Sequence, residues 1–457
     1  MSFNWKTKPL GEVASNVSRR FNFTGKDKVI FINTGDVLEG AFLHSDYSDT
    51  KGLPGQAKKA IEKGDILYSE IRPGNKRYVL VDFDPKDYVV STKFMVIKPS
   101  DEILPEFLYL ILTSRDCEQE FKIIADSRSG TFPQVTFDSI SYFPINYPDK
   151  AEQKRILQIT DSLSGKLAVN AKTNQTLEQI AQSIFKSWFV DFDPVKAKIE
   201  TLAAGGSADD AELAAMGVIS AKTLDELNSL KASNPEAFNK LAQTAALFPK
   251  NLDSETGTPA GWNSGVIADI AKLNANSWTK KNRPEQVHYV DLSNTKNGRI
   301  ETVTTYGFDE APSRARRILN SGDTIIGTVR PGNRAFAFIG ETEKPLTGST
   351  GFAVLSPKEE FWTSFVYLAT TNDDAIDEYA RLADGGAYPA IKPEVVADTP
   401  CVLPTKDIAQ KFWQLTGAML KKAHQARLEN EELTKTRDTL LPKLLSCEIN
   451  VTSEVVE

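Results

Sequence analysis

Runs of hydrophobic residues divide the first 148 positions into short elements. KVIFIN, DILYSEI, RYVLVDF and KFMVIKP are rich in β-branched and aromatic residues and are bounded by turn residues, which is typical of β-strands. LPEFLYLILTS instead has helical spacing. The same order of elements returns in QVHYVDL, DTIIGTV, AFAFIG, GFAVLSP and EEFWTSFVYLATT. The pattern predicts two compact domains of mixed α/β class, over residues 1–148 and 262–404.

Two longer segments, 149–190 and 405–446, keep hydrophobic residues at heptad spacing. The seam of the first segment surrounds the polar Asn174 and consists of Ile156, Leu163, Leu177, Ile184 and Trp188. The seam of the second surrounds Asn430 and consists of Phe412, Met419, Leu433, Leu440 and Leu444. Each segment predicts a helix of about 60 Å, which is too long for one domain to cover. We therefore expect one antiparallel coiled-coil pair rather than two helices packed separately on their own domains.

Antiparallel pairing predicts particular neighbours along the two helices. It brings the two middles together, so we expect Asn174 to lie close to Asn430, where a buried polar pair penalises slipped registers. It also brings Ile156 close to Leu444. Parallel pairing would bring Ile156 close to Phe412 instead, so the helix ends distinguish the two arrangements.

A short sequence motif occurs twice in the chain. IRPGN at 71–75 returns as VRPGN at 329–333, and SGTFP at 129–133 matches GGAYP at 385–389, so the offset stays between 256 and 258. A chance match would not keep its offset over this length. The repeat predicts an internal duplication of one domain and its following helix, with pseudo-two-fold symmetry. Its period is too long for a solenoid, in which units run about 20–50 residues.

Residues 191–261 have no counterpart in the other half of the chain. They are rich in Ala, Ser, Asp and Glu, and their spacing predicts short helices at 208–216, 222–231 and 235–247. We interpret this stretch as a partly helical linker, and we expect residues 447–457 to form a flexible tail.

Charge and hydropathy bear on possible partners. The 457 residues carry a formal net charge of −7, which argues against nucleic-acid binding, but KKNRPEQ, SRARR and RPGNKR are local basic clusters. Each cluster alone is equally compatible with a solvated face. No apolar run approaches the roughly 18 residues of a membrane span, and the N-terminal sequence lacks the apolar core of a signal peptide. We expect a cytoplasmic protein with no membrane partner.

Motifs for catalysis and metal binding are missing from the sequence. It holds no GxxxxGK[ST], no GxGxxG after a strand, no HExxH and no GxSxG, and its three cysteines and three histidines are dispersed. The carboxylates of VDFDP at 81–85 and DFDP at 191–194 are interpreted as turns rather than as a metal site. We therefore predict that the chain is not an enzyme and has no metal site or cofactor of its own.

Several longer sequence segments resemble those of one protein family. AEQKRIL at 151–157, TLEQIAQSIFKSWFVDFDPV at 176–195 and TRDTLLPKLLSCEI at 436–449 resemble the helical regions of type I restriction-modification specificity (S) subunits. ALFPKNLDSETGTPAGW at 246–262 is similar to that family's lead-in to its second target recognition domain. The resemblance covers nearly the whole chain. One departure is Cys447, where the family commonly has Gly.

The resemblance implies a non-enzymatic DNA reader. Each target recognition domain would read one half of a split, asymmetric site in double-stranded DNA, and the long helices would act as a spacer. The resemblance also implies that two methylation (M) subunits dock on this chain and that restriction (R) subunits, which carry the motor and nuclease, join the full complex. S-adenosylmethionine, ATP and Mg would then be bound by those partners.

The RPGN turn is the first candidate DNA contact in each copy. Pro fixes φ and Gly accepts a positive φ, so we predict a tight turn that presents Arg72 or Arg330. Arg can pair bidentately with guanine and Asn with adenine; the alternative is a hairpin turn kept for the fold, with the Arg in a structural salt bridge. SRSGTFP and DGGAYP are the second candidate loops. The residues expected to bind DNA are Arg72, Asn75, Lys76, Arg77, Lys93, Arg128, Lys280, Lys281, Arg314, Arg330, Asn333, Arg334 and Tyr388.

Two other classes of protein compete with a DNA reader. A methyltransferase or nuclease that acts alone would need an S-adenosylmethionine loop and an [ND]PP[YF] tetrapeptide, and neither is present. A non-enzymatic scaffold would use its duplicated domains to bind protein or sugar. Affinity for duplex DNA that falls with rising salt separates the reader from the scaffold.

Overall fold

A computed structural model describes residues 5–128, 133–446 and 448–449. The described residues form two compact units, one within 1–168 together with 431–457 and the other within 169–430. Each unit contains one of the repeated domains and parts of both long helices. The predicted flexible tail, 447–457, lies outside the described residues except for 448–449. Among the described residues, no helix is long and apolar enough to cross a membrane.

The first domain is rich in short strands, as the hydrophobic pattern predicts. Its strands are β1 Lys6–Pro9, β2 Ala14–Asn16, β3 Arg19–Arg20, β4 Lys28–Ile32, β5 Val37–Leu38, β6 Ala41–Phe42, β7 Tyr47–Asp49, β8 Ala57–Ala60, β9 Ile66–Ser69, β10 Tyr78–Leu80, β11 Tyr88–Ser91, β12 Phe94–Pro99 and β13 Pro144–Tyr147. Its helices, with the long helix that follows, are α1 Leu10–Val13, α2 Pro105–Leu112, α3 Arg115–Arg128, α4 Phe137–Ile140 and α5 Lys150–Phe189. The main sheets have the orders β10-β9-β12-β2 and β3-β8-β11-β4-β7.

The segment between the domains is more helical than the sequence indicates. Its helices are α6 Asp193–Ala203, α7 Ala208–Ser220, α8 Leu224–Ser233 and α9 Pro235–Ala246. The first of these was not predicted, because DFDP was interpreted as a turn. Phe192 does turn the chain with a φ of 57°, but Pro194 then occupies the first turn of α6, where its missing N–H costs nothing. Lys198 of α6 is buried and pairs with Glu212 of α7 at 2.8 Å.

The second domain repeats the architecture of the first. Its strands are β14 Asn263–Val266, β15 Ala271–Leu273, β16 Gln286–Val290, β17 Thr295–Lys296, β18 Arg299–Ile300, β19 Thr304–Gly307, β20 Ala315–Leu319, β21 Thr324–Gly327, β22 Phe336–Phe338, β23 Leu346–Ser349, β24 Phe352–Pro357 and β25 Pro400–Leu403. The helices are α10 Ile267–Ile270, α11 Thr363–Thr371, α12 Asp373–Leu382, α13 Pro393–Ala397 and the long α14 Lys406–Leu445. The main sheets have the orders β15-β24-β21-β22 and β19-β16-β23-β20.

Strand register confirms the internal repeat. β4 and β11 form a parallel pair in which Ile30 faces Tyr88, and β16 and β23 form a parallel pair in which His288 faces Leu346. Both partners of the second pair lie 258 positions after those of the first. The duplication inferred from a five-residue motif therefore extends to the pairing of individual residues between β-strands.

The long helices are antiparallel, as predicted. In the first unit, Ile156 of α5 and Leu444 of α14 are buried in one hydrophobic cluster. In the second unit, the rings of Trp188 and Phe412 lie 5.8 Å apart between centroids. Each helix therefore meets the opposite end of its partner.

The predicted contact between Asn174 and Asn430 is replaced by one from Asn170. Nδ2 of Asn170 donates to Oδ1 of Asn430 at 2.9 Å and to Oε2 of Glu429 at 2.7 Å. Asn174 and Asn430 are equivalent positions of the repeat, but equivalent positions face each other only where the symmetry axis crosses the helices. The register of the two ends puts Asn170 opposite Asn430. Ile156 and Leu444 each lie 14 residues from this pair along their own helix, and Trp188 and Phe412 each lie 18 residues from it.

Aromatic side chains hold the second domain to α5. The ring centroids of Phe185 and Phe189, on α5, lie 5.2 Å and 5.0 Å from that of Phe365 on α11. The ring centroid of Phe189 also lies 4.8 Å from that of Phe412 on α14. Trp262 joins the same buried cluster from the start of the second domain. This cluster explains the aromatic residues in the word SIFKSWFVDFDPV: they build the junction between helix and domain.

Candidate DNA-binding surface

The VRPGN turn connects β21 to β22 in the second domain. Arg330 and Arg334 both have left-handed backbone, with φ values of 49° and 58°, and Pro331–Asn333 forms a 3₁₀ turn between them. The IRPGN turn of the first domain, between β9 and β10, has φ values of 48° at Arg72 and 55° at Lys76. The two turns share one backbone geometry even though Lys replaces Arg at the last position.

The predicted role of glycine in this turn is wrong. Gly74 and Gly332 lie inside the 3₁₀ turns and have ordinary backbone, while the residues that flank each turn adopt the positive φ. The PGN segment is helical, so the chain must change direction on both sides of it rather than within it. Left-handed backbone costs a non-glycine residue about 1–2 kcal/mol, so surrounding contacts must hold it in place.

A neighbouring hairpin holds the last residue of each turn. In the second domain, the N–H of Asn297 donates to the Arg334 carbonyl at 2.8 Å, and Nε of Arg334 donates to Oδ1 of Asn297 at 3.1 Å. Arg334 also pairs with Asp373 at 2.5 Å. In the first domain, the N–H of Glu39 donates to the Lys76 carbonyl at 2.9 Å, and the Lys76 ammonium donates to Glu39 at 2.8 Å, which raises the pKa of Lys76. Both basic side chains thus bind within their own domain.

Arg330 is held at the surface by the GGAYP loop. Its N–H donates to the Pro389 carbonyl at 2.7 Å, and Nη2 donates to the Ala387 carbonyl at 2.7 Å. The guanidinium carbon lies 4.6 Å from the centroid of the Tyr388 ring, which is a cation–π contact, and Tyr388 is 70% exposed. Asn333 is also exposed, and a groove of about 280 Å³ lies beside the turn, lined as well by Ala380, Ala383 and Pro389. The two sequence-predicted loops therefore meet.

The same meeting of loops occurs in the first domain. The N–H of Arg72 donates to the Pro133 carbonyl at 2.9 Å, and Ile71 forms a bridge with Gln134. Arg72 and Asn75 are exposed. Residues 129–132 of the SGTFP loop lie outside the described residues. The contact between turn and loop is thus a repeated feature of both domains.

Two other predicted DNA contacts, Arg77 and Arg314, form hydrogen bonds or ion pairs within their own domains. Arg77 donates through Nη1 to the carbonyls of Gly35 and Val37, at 2.9 Å and 2.8 Å. Arg314 donates to the Tyr289 hydroxyl at 3.1 Å and pairs with Asp291 at 2.7 Å, and these contacts raise its pKa. These two arginines therefore support their own domains.

The remaining predicted residues are exposed or incompletely described. Lys93 lies exposed in the turn between β11 and β12, and Lys280 and Lys281 lie exposed between β15 and β16. The backbone of Arg128 ends α3, and its side chain lies outside the described residues. The structure does not bring the three lysines into the groove beside Arg330, whose lining residues include Pro331, Gly332, Ala380 and Ala383.

Sequence reasoning missed a polar cleft in the second unit. The cleft has a volume of about 1150 Å³ and lies between α5 and the second domain, with Glu178, Arg427 and Lys296 in its lining. Oδ1 of Asn174, a residue of the same lining, is buried without a hydrogen-bond partner among the described residues. Its residues come from five distant parts of the chain, so only the heptad position of Asn174 was visible in the sequence. Among the described residues, no group of His, Cys, Asp and Glu is arranged to hold a metal ion.

The fold defines the class of protein: two duplicated α/β domains, each of which packs on parts of two long antiparallel helices. A family model described as the type I restriction modification DNA specificity domain matches residues 3–179. The type I restriction enzyme HindI specificity subunit of Haemophilus influenzae is 41% identical over 98% of this chain and 100% of its own length. The MjaIX specificity subunit of Methanocaldococcus jannaschii is 22% identical over 98% of this chain and 93% of its own length.

A solved structure has the same fold. The S subunit of a type I restriction-modification system from M. genitalium aligns with a TM-score of 0.53 at 15% identity, over 99% of this chain and 98% of that one. The chain therefore belongs to the specificity subunits of type I restriction-modification systems. As such it is a DNA-recognition subunit and not the catalytic subunit of its complex.

Proposed function

We propose that this chain reads a split, asymmetric site in double-stranded DNA, one half with each recognition domain. The observation that carries the proposal is the paired RPGN turn, which has the same strained backbone in both domains. Strain of this kind is retained where surrounding structure over-determines it, often at ligand sites. The two domains differ in sequence, so they read different half-sites.

Within the second domain, Arg330 is the residue best prepared to read a base. One hydrogen of Nη2 is used by the Ala387 carbonyl, and the Tyr388 ring supports the guanidinium face. Within the described part of the chain, no acidic side chain pairs with Arg330. One edge of the guanidinium, with two N–H groups side by side, therefore remains available. Such a pair of donors can hydrogen-bond to O6 and N7 of guanine. Asn333 is the neighbouring candidate for adenine.

Partner subunits supply the chemistry. We propose that two methylation subunits dock on this chain and bind S-adenosylmethionine, and that restriction subunits bind ATP and Mg in the full complex. The assembled complex then acts on DNA in the cytoplasm. The support for this division is membership in the specificity-subunit family, together with a sequence that has no nucleotide-binding or catalytic motif.

The experiment is to express the chain with its methylation subunits and to sequence the methylated DNA of the host. We expect one split adenine-methylated motif with two different halves and a constant unread spacer. Duplex DNA binding by the purified complex should weaken as salt rises, because phosphate contacts release counterions. A continuous motif, or methylation by the chain alone, would contradict the proposal.

A further inference from the structure

A buried tyrosine links the second recognition domain to the first long helix. The hydroxyl of Tyr367, on α11, donates to Oε1 of Glu178, on α5, at 2.6 Å. Tyr367 is 1% exposed, and burial together with the nearby carboxylate raises its pKa well above the ordinary value. Four residues further along α5, Nε2 of Gln182 lies 3.5 Å from Oγ1 of Thr371. The polar contacts thus run along one face of each helix.

A glycine brings a third element to the same hydroxyl. Gly298 lies in the β17–β18 hairpin with a φ of 77°, and a Cβ built there would lie 3.0 Å from the Tyr367 hydroxyl and 3.1 Å from Oε1 of Glu178. A side chain at this position would crowd the pair, and the positive φ would strain it as well. The same hairpin supports Arg334 of the RPGN turn through Asn297. The Glu178–Tyr367 bond is therefore connected, by direct contacts, to the candidate DNA-binding turn.

The first domain has the tyrosine and the glycine but not the carboxylate. Tyr109 and Gly40 are the counterparts of Tyr367 and Gly298, and a Cβ on Gly40 would lie 2.7 Å from the Tyr109 hydroxyl. At the helix position equivalent to Glu178, α14 carries Thr434. Among the described residues, no side-chain hydrogen bond joins Tyr109 to α14. The carboxylate is thus an addition specific to the second domain.

We infer that Glu178 and Tyr367 are positioning residues that set the orientation of the second recognition domain on α5, and thereby the spacer length that the complex accepts. The inference rests on the proposed function, because a spacer exists only if the site is split. Neither residue lines the groove beside Arg330. The pair acts through the β17–β18 hairpin and α11, so its loss should leave both half-sites unchanged.

The experiment measures methylation by the reconstituted complex on duplexes whose spacer is parental, one base pair shorter or one base pair longer. We expect Tyr367→Phe and Glu178→Ala to reduce the preference for the parental spacer by about tenfold or more, since each removes a hydrogen bond to a charged group. Glu178→Gln keeps an acceptor oxygen and should retain most of the preference. Tyr109→Phe is the matched control in the first domain and should retain all of it.

The outcomes separate this inference from the proposed function. If the parental complex methylates no split site, the proposed function fails. If the parental complex works and both Tyr367→Phe and Glu178→Ala keep its spacer preference, the positioning role is wrong. Equal relaxation by Tyr109→Phe would also overturn the inference, as would relaxation by Glu178→Gln equal to that of Glu178→Ala. Altered half-site bases in Tyr367→Phe would assign the pair to base reading instead.

Discussion

The two recognition domains keep one backbone and change the side chains placed on it. Lys76 pairs with Glu39 in the first domain, and at the equivalent positions Arg334 bonds to Asn297 in the second. The main-chain hydrogen bonds between hairpin and turn are the same in both copies. The duplication has therefore preserved the contacts that shape the turn, while the chemistry of each contact has diverged. Under the proposed function, two different DNA sequences would be read from equivalent places on one scaffold.

The domains also differ in how they join the long helices. In the first unit, the end of α14 contributes aliphatic residues such as Leu444 to the core of the domain. In the second unit, the junction is built from aromatic rings around Phe412 and from the Glu178–Tyr367 bond. Aromatic rings and a directional hydrogen bond restrict orientation more than aliphatic contacts do. The second junction therefore combines aromatic packing with a directional hydrogen bond, and we expect it to restrict the orientation of its domain more than the first junction does.

The largest expected effect is on the helix junctions. Phe412→Ala should destabilise the second unit by about 3–5 kcal/mol, and Leu444→Ala should destabilise the first by about 2–4 kcal/mol, because both side chains are buried. Hydrogen exchange resolved by residue should show each loss in its own unit. Similar loss of protection in both units from either variant would contradict a division into separately stabilised parts.

The next effect concerns base reading by the second domain. Arg330→Ala should cost about 1–3 kcal/mol and relax one position of one half-site, because the bidentate contact to guanine is lost. Arg330→Lys keeps the positive charge but cannot donate two parallel hydrogen bonds, so it should relax base specificity at the same position. Sequencing of methylated host DNA measures both variants. Weaker methylation of all sequences alike would assign Arg330 to a phosphate.

A smaller effect tests the strained backbone shared by the two turns. Gly tolerates left-handed backbone that Ala resists, so Arg72→Gly should be more stable than Arg72→Ala by about 1 kcal/mol, and the same should hold at Arg330. Urea unfolding of the four variants gives the two differences. If Ala equals Gly at either position, that turn is not strained as described.

The smallest effect is the response of the first domain to acid. Lys8 and Tyr147 lower the pKa of Glu102 to about 2, from an ordinary value of 4.5. A lowered pKa in the folded state contributes stability above pH 4.5 that is lost as the pH falls toward 2. Among the described residues, the counterpart of Glu102 in the second domain, Glu360, forms one ion pair, with Lys421 at 3.8 Å.

Glu102→Gln should therefore flatten the acid dependence of stability in the first unit between pH 4.5 and 2. Glu360→Gln is the control and should have a smaller effect in the second unit. Denaturant unfolding at several pH values checks both. An unchanged pH profile in Glu102→Gln would show that its ion pairs do not stabilise the fold.

The sequence identified the segments that form much of the candidate site, but not the contacts between them. The repeat predicted that RPGN and the GGAYP-type loop matter in both copies, and the structure brings them together through the bond from Arg330 N–H to the Pro389 carbonyl. The repeat did not predict that Lys76 binds Glu39 and that Arg334 binds Asn297, each in the neighbouring hairpin of its own domain. Ion pairing depends on side chains that lie 37 residues or more apart, such as Arg334 with Asp373, and local spacing does not reveal them.

The sequence by itself determined the duplication, the strand-rich domains and the antiparallel helix pair, because hydrophobic periodicity and a repeated offset can be read from the order of the residues without coordinates. Only the tertiary structure decided which asparagine faces Asn430, which residues of the turn take the positive φ, and that Tyr367 meets Glu178. Those outcomes depend on the register between distant segments. A one-turn shift along a helix changes every partner while it leaves the sequence pattern unchanged.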